Sequence, residues 1–145
     1  MTNKIVPTIS SGIAGPLGVL HMPRLWQKMS LGAAGKLADG YANCAPGYDM
    51  MVLDALGVER DALVDFVVTK KPSYVEFEAF FVANASKLNA TSIAELNAAI
   101  SGYQHKEETR LRILAAVGLP DGTATDAVNL NNLDDWQEFY AAEIV

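Results

Sequence analysis

The chain has 145 residues, half of them hydrophobic and a fifth charged, the balance of a folded globular protein long enough to bury about two-thirds of its unfolded surface. A formal net charge of −6 leaves no broad basic surface to neutralise phosphates, which excludes a nucleic-acid binder. No apolar run of about 18 residues occurs, so no membrane span is expected; the single cysteine, Cys44, permits no internal disulfide and points to a reducing, cytoplasmic setting.

Residues 1–22 read as an irregular arm, because Pro7, Gly12, Gly15, Pro16 and Gly18 interrupt its mildly apolar run. The same breaks argue against a secretory signal. Residues 23–145 read as one helical domain. Pro23 suits a helix's first turn, where its missing N–H has no partner to lose. From Arg24 to Leu37 the apolar residues Leu25, Met29, Ala33 and Leu37 recur every four residues, predicting a helix that Gly40 ends. Asp49 is placed as the cap of a short helix, "MMVLDAL", closed by Gly57.

A further helix is expected over Arg60–Thr69, with Leu63, Phe66 and Val67 inward. Pro72 breaks the chain, and Ser73 with Glu76 forms a capping box before an aromatic face of Tyr74, Phe77, Phe80 and Phe81. Ser92 and Glu95 repeat that spacing before "IAELNAAI". "EETRLRILAAV" follows, stopped by Gly118 and Pro120, and Asn132 and Asp135 are expected to cap a last helix bearing Trp136, Phe139 and Tyr140. No segment alternates like a strand. The prediction is all-α, with seven or eight short helices.

Two portions of the chain echo each other. Gly40-Tyr41 matches Gly102-Tyr103, Leu53-x-Ala55-x-Gly57 matches Leu114-x-Ala116-x-Gly118, and Glu76-Phe77 matches Glu138-Phe139, at offsets of 61 or 62. This predicts two pseudo-repeated four-helix halves, about 24–88 and 91–143, sharing one core.

The stretch "LGAAGKLADGY" looks like a phosphate loop but fails the test. Ser30 stands where the first glycine belongs, Leu37 where the metal-binding hydroxyl belongs, and no strand precedes it. Gly32 and Gly35 inside a helix would each cost about 1 kcal/mol relative to alanine, so close packing of a second backbone is the ordinary explanation. Arg24, Lys28, Gly32 and Lys36 recur every four residues and drift by about 40° per step, forming a slanting cationic ridge.

Residues 1–38 hold four cations and no acid; all 17 acidic residues lie beyond, with 7 of the 11 bases, a net of −10. The simplest consequence is that the basic opening docks on the acidic remainder. The alternative is an anion site built from the same cations.

The motifs Met22-Pro23-Arg24-Leu25-Trp26, Lys28, Ala33 to Leu37, Tyr41, Gly47-Tyr48-Asp49 and Leu53 to Val58, with "KPSYVEFEAF" and the late "LNNLDDWQEF", resemble an uncharacterised bacterial family of small proteins classed as a domain of unknown function. The resemblance covers most of the chain beyond residue 16. It implies no activity, and directs attention to Arg24, Lys28, Lys36, Tyr41 and Asp49.

On this reading a small anionic ligand or a partner binds the helix 24–37. Arg24 and Lys36 hold the anion, Lys28 tunes the field, Tyr41 donates a hydrogen bond, and Asp49 and His21 lie beside them. An enzyme using the same pocket, with His21 or Asp49 as general base, is the rival; a structural homodimer subunit is the third option. His105 and Glu108 have a metal-compatible i, i+3 spacing but lack further inward carboxylates, so neither metal nor cofactor is expected. No serine–histidine–acid set can be assembled from sequence.

Overall fold

The computed structural model describes residues 3–123 and 125–145; residues 1, 2 and 124, the first two belonging to the predicted arm, lie outside that description. Among the described residues seven helices follow one another: α1 (Met22–Ala33), α2 (Tyr48–Leu56), α3 (Arg60–Lys70), α4 (Tyr74–Asn84), α5 (Ala90–Gly102), α6 (Glu107–Val117) and α7 (Ala127–Glu143). The protein is all-α. Among the described residues the only β pairing is two isolated bridges, Ile5 with Leu37 and Ala14 with Leu20. None of the described helices is long and apolar enough to cross a membrane.

Helix ends follow local chemistry, sometimes not where the spacing placed them. α1 stops at Ala33, not Leu37, because Gly35 turns left-handed at φ 70° and Lys36 N–H reaches back to Leu31 O at 2.8 Å. Leu37 then runs beside Ile5, with Ile5 N–H on Lys36 O and Ala38 N–H on Ile5 O. The cationic ridge therefore loses its fourth member: Lys36 is exposed and off the helix.

Gly32 stays in α1, but what a Cβ there would meet is the side chain of exposed Asn43, not a second backbone. Asp49 is not a cap; Gly47 precedes α2, and Asp49 accepts Ala45 N–H from inside the first turn. Gly57 and Gly118 close α2 and α6 in the left-handed region, each followed by an N–H reaching five residues back.

The capping box at Ser73 and Glu76 forms as the spacing predicts. The second box is Asn89 with Ser92 rather than Ser92 with Glu95, since Asn89 supplies both an acceptor and an N–H one turn earlier. Asp126, whose side chain accepts Asn129 N–H, starts α7 well before Asn132 and Asp135, and leaves both inside the helix. Four helices precede residue 88 and three follow it among the described residues. The second part thus has no helical counterpart of α3.

The main core gathers Met22, Leu25 and Met29 of α1, Val52, Leu53 and Leu56 of α2, Leu63 and Val67 of α3, Phe77 and Phe81 of α4, Leu96 and Ile100 of α5, and Ala127 at the start of α7. Of the aromatic face on α4, Phe77 and Phe81 are fully buried, while Tyr74 and Phe80 sit at its edge, Phe80 stacked on Phe66 at 4.5 Å. A second, smaller cluster joins Ile113 and Leu114 of α6 to Leu130 and Leu133 of α7.

Candidate functional site

α1 and the residue just before it carry three polar side chains into the interior: His21 is 2% exposed, Arg24 6% and Lys28 9%. Positions 24 and 28 share one face of the helix, and His21 immediately precedes its first turn. A buried charge must find a partner, and each does so far along the chain.

Arg24 grips Asp135 of α7 in two-point fashion, Nη1 to Oδ2 at 2.6 Å and Nη2 to Oδ1 at 3.0 Å, and Nη1 also donates to Ile9 O. The Tyr41 hydroxyl donates to Asp135 Oδ1 at 2.9 Å. Burial, then the adjacent Asp135 charge, push the Tyr41 phenol well above its usual pKa, so it remains a donor. Lys28 Nζ donates to both oxygens of Asp49, at 2.8 and 3.1 Å.

Asp49 also meets His21 Nε2 at 2.6 Å, and His21 Nδ1 meets Ser11 Oγ at 2.9 Å. Burial pulls the His21 pKa below its ordinary value, outweighing the opposing pull of Asp49. Burial alone would raise Asp49, but the His21 hydrogen bond and the Lys28 charge hold its carboxyl below the usual range. Asp49 is thus ionised and His21 neutral. The imidazole donates from Nε2 to Asp49 and accepts at Nδ1 from the Ser11 hydroxyl.

This is the hydrogen-bond order of a Ser–His–Asp triad, a set that no spacing in the sequence betrays. It is not a nucleophile site. Ser11 is 1% exposed and does not line the adjoining cleft, so its hydroxyl fixes the histidine tautomer instead.

That cleft has a volume of about 350 Å³ and lies where α1, the 40–49 loop, the end of α5 and α7 converge. Arg24, Lys28 and Asp49 form one wall. Tyr48, Tyr103 and His105 form another, with ring centroids 5.3 Å apart from Tyr48 to Tyr103 and 5.9 Å from Tyr103 to His105. The Tyr48 hydroxyl is anchored on Ile100 O at 2.8 Å, and His105 Nε2 lies 2.9 Å from Asn131 Oδ1.

Asp134 also lines the cleft, half-buried, with no hydrogen-bond or ion-pair partner among the described residues. Burial raises its pKa, against the pull of Arg112.

Of the residues singled out from sequence, Arg24, Lys28, Tyr41, Asp49 and His21 meet at this cleft, and Lys36 does not. Three of the four early cations pair with later carboxylates: Lys4 with Asp39, Arg24 with Asp135 and Lys28 with Asp49. The charge split along the chain is thus largely consumed by docking the opening segment.

Sequence reasoning missed Ser11, Tyr103 and Asn131. Asp134, Asp135 and Glu138 read from sequence as ordinary first-turn helix acids that could also face the basic ridge, and Asp135 takes that role with Arg24. Cys44 is buried, and burial pushes its thiol pKa up, which keeps it protonated and inert. No group of three or more His, Cys, Asp or Glu side chains suited to a metal gathers among the described residues.

Comparison with known protein families, with curated proteins and with solved structures returned no match to the chain.

Proposed function

We propose that the protein binds a small, singly charged organic acid in the cleft beside α1. One observation carries this reading: two buried cations line a cleft without exhausting their donors. Arg24 uses both Nη1 hydrogens and one on Nη2, so Nε–H and the other Nη2 hydrogen have no acceptor among the described residues. The ammonium of Lys28 spends its bonds on one carboxylate and keeps a further N–H. Acceptor oxygens of a ligand complete these sets.

Because Asp135 and Asp49 already neutralise the two cations, the wall favours a monoanion over a polyanion. Lys36 takes no part. Two of the resembling motifs, "MPRLW-x-K" and "LNNLDDWQEF", supply Arg24, Lys28, Asp134 and Asp135, so the family resemblance and the cleft belong to one proposal. A cytoplasmic location belongs to it as well, resting on the free thiol of Cys44.

Acetate, benzoate and succinate, compared by calorimetric titration and thermal denaturation, test it. A monoanion is expected to raise Tm, and Tyr103→Ala, at the cleft rim, to weaken that effect with the fold intact. No shift with any of the three, together with no molecule retained in native mass spectrometry of protein from its own host, sinks the proposal.

The enzymatic alternative rests on a different residue from the one spacing suggested. His21 and Asp49 are fully engaged, whereas Asp134 is unpaired, half-buried and raised in pKa, the condition of a general base. Turnover that Asp134→Asn abolishes while binding survives would establish it.

A further inference from the structure

We propose that a second copy of this chain docks in the groove between the N-terminal arm and α7, giving a two-fold symmetric dimer. The groove has a volume of about 530 Å³; Val6, Pro7, Ile9 and Ile13 form one side, and Trp136 and Phe139 the other. It is separate from the ligand cleft, although Asp135 lies between the two.

The apolar content of this surface is unusual. Trp136 is 62% exposed, Phe139 48%, Tyr140 47% and Ile144 63%. Their spacing of i, i+3, i+4 and i+8 makes them one continuous stripe on α7. Ile13 across the groove is 51% exposed. A helix that only closed its own core would turn such residues inward, yet α7 gives its own small cluster only Leu130 and Leu133.

The area suits a dimer. A large aromatic side chain buries roughly 150–250 Å² when fully enclosed, so three half-exposed ones offer about 300 Å². With Ile13, Ile144 and Val145 the patch reaches roughly 500–600 Å², the top of the range for a monomer's largest patch. Two such patches face to face bury about 1,000–1,200 Å², the threshold of a specific interface.

Charge selects the occupant. From residue 127 to 145 there are four acids and no base. Asp135 is spent on Arg24; Glu143, on the face of the apolar stripe, is exposed without an ion-pair partner among the described residues, whereas Glu138 lies on the opposite face of α7. On the arm's side Lys4 and Lys36 are exposed, Lys4 tied only to the almost fully exposed Asp39.

A two-fold axis through the groove lays the Glu143 end of α7 of one copy towards Lys4 and Lys36, which flank the start of the other copy's arm just outside the groove, and the reverse. The surface is therefore complementary to itself. Stacking α7 on α7 would leave Glu143 without a counter-charge, since α7 carries no base, and an anionic lipid surface would do the same.

Sedimentation velocity of the whole chain, from micromolar to submillimolar concentration, reads the outcome. The expected result is a reversible monomer–dimer equilibrium, weakened by salt. Trp136→Ser and Phe139→Ser should each raise the dimer Kd about thirtyfold, with helical circular dichroism and Tm retained because both side chains are exposed.

Glu143→Lys should weaken self-association, and mixing that variant with Lys4→Glu, Lys36→Glu protein should restore a heterodimer. A monomer at every concentration overturns the proposal, including one whose patch captures vesicles or a different protein instead. So does a dimer indifferent to the serine substitutions.

Discussion

The body formed by α1 to α5 and the pair α6–α7 are held by different forces. In the body, five helices converge on one apolar cluster whose largest members, Phe77 and Phe81, are wholly buried. In the pair, Ile113 and Leu114 meet Leu130 and Leu133 in a cluster of only a few side chains. Past the entry of Ala127 and Val128 into and against the main core, α7 is tied to the rest largely by polar links: Asp135 to Arg24 and Tyr41, and Asn131 to His105. Apolar burial tolerates small shifts, whereas a two-point ion pair fixes position. The cleft lies on this seam, where a side chain's place matters more than its contribution to stability.

The largest effect expected from disturbing that contrast comes from the seam itself. Asp135→Ala leaves Arg24 buried without its counter-charge, a loss of about 3–5 kcal/mol in urea unfolding. Replacing both partners, Arg24→Met with Asp135→Leu, should recover most of it. Amide exchange in Asp135→Ala should accelerate in α6 and α7 before it does in α1 to α5; uniform acceleration would show that the two regions are not distinct. Next come core truncations. Leu53→Ala should cost about 4 kcal/mol and Leu130→Ala about 2 kcal/mol, because the smaller cluster has less around it to leave as a void.

An acid-sensitive effect is smaller and belongs to the body's side of the cleft, where His21 meets Asp49. His21 titrates below its ordinary 6.5 in the fold. As pH falls past that value the unfolded chain takes up a proton that the folded chain refuses, so stability declines. Asp49 contributes stability that is full above its ordinary 3.8 and is lost as pH drops through that value towards its depressed one. Urea midpoints measured from about pH 7.5 to about pH 5 should fall for the native chain and change less for His21→Asn.

Smallest is Gly32→Ala. The added Cβ displaces only the exposed Asn43 side chain, while helix propensity improves by up to about 1 kcal/mol, so Tm should hold or rise.

What could be read from sequence was what is decided within one helical turn. The Ser73 and Glu76 box, the left-handed closures at Gly57 and Gly118, and the shared face of Arg24 and Lys28 all depend on neighbours a few residues apart. The end of α1 was misplaced because the fourfold apolar spacing continues past Gly35, although the backbone turns there.

The start of α7 was misplaced because Asn132 and Asp135 are cap-type residues inside a helix, and Asp135 is there for Arg24, 111 residues away. No local pattern carries that pairing. Ser11 was equally invisible: a serine in an irregular arm gains its role only when the arm folds over His21. The two-half repeat was suggested by corner glycines that recur for reasons of helix closure, a requirement any helix can impose.

His21 sits just ahead of α1 with φ at 70°, in a backbone conformation that costs an ordinary side chain about 1–2 kcal/mol and suits glycine or asparagine better. A population of variants selected only for thermal resistance should therefore drift to Asn, which relieves the backbone and keeps a polar side chain beside Asp49, whereas Gly would leave that carboxylate and Ser11 without their partner. One selected to retain a small acid should keep the imidazole, which holds Asp49 beside Lys28 on the cleft wall, so parallel selections would separate what the backbone prefers from what the cleft requires.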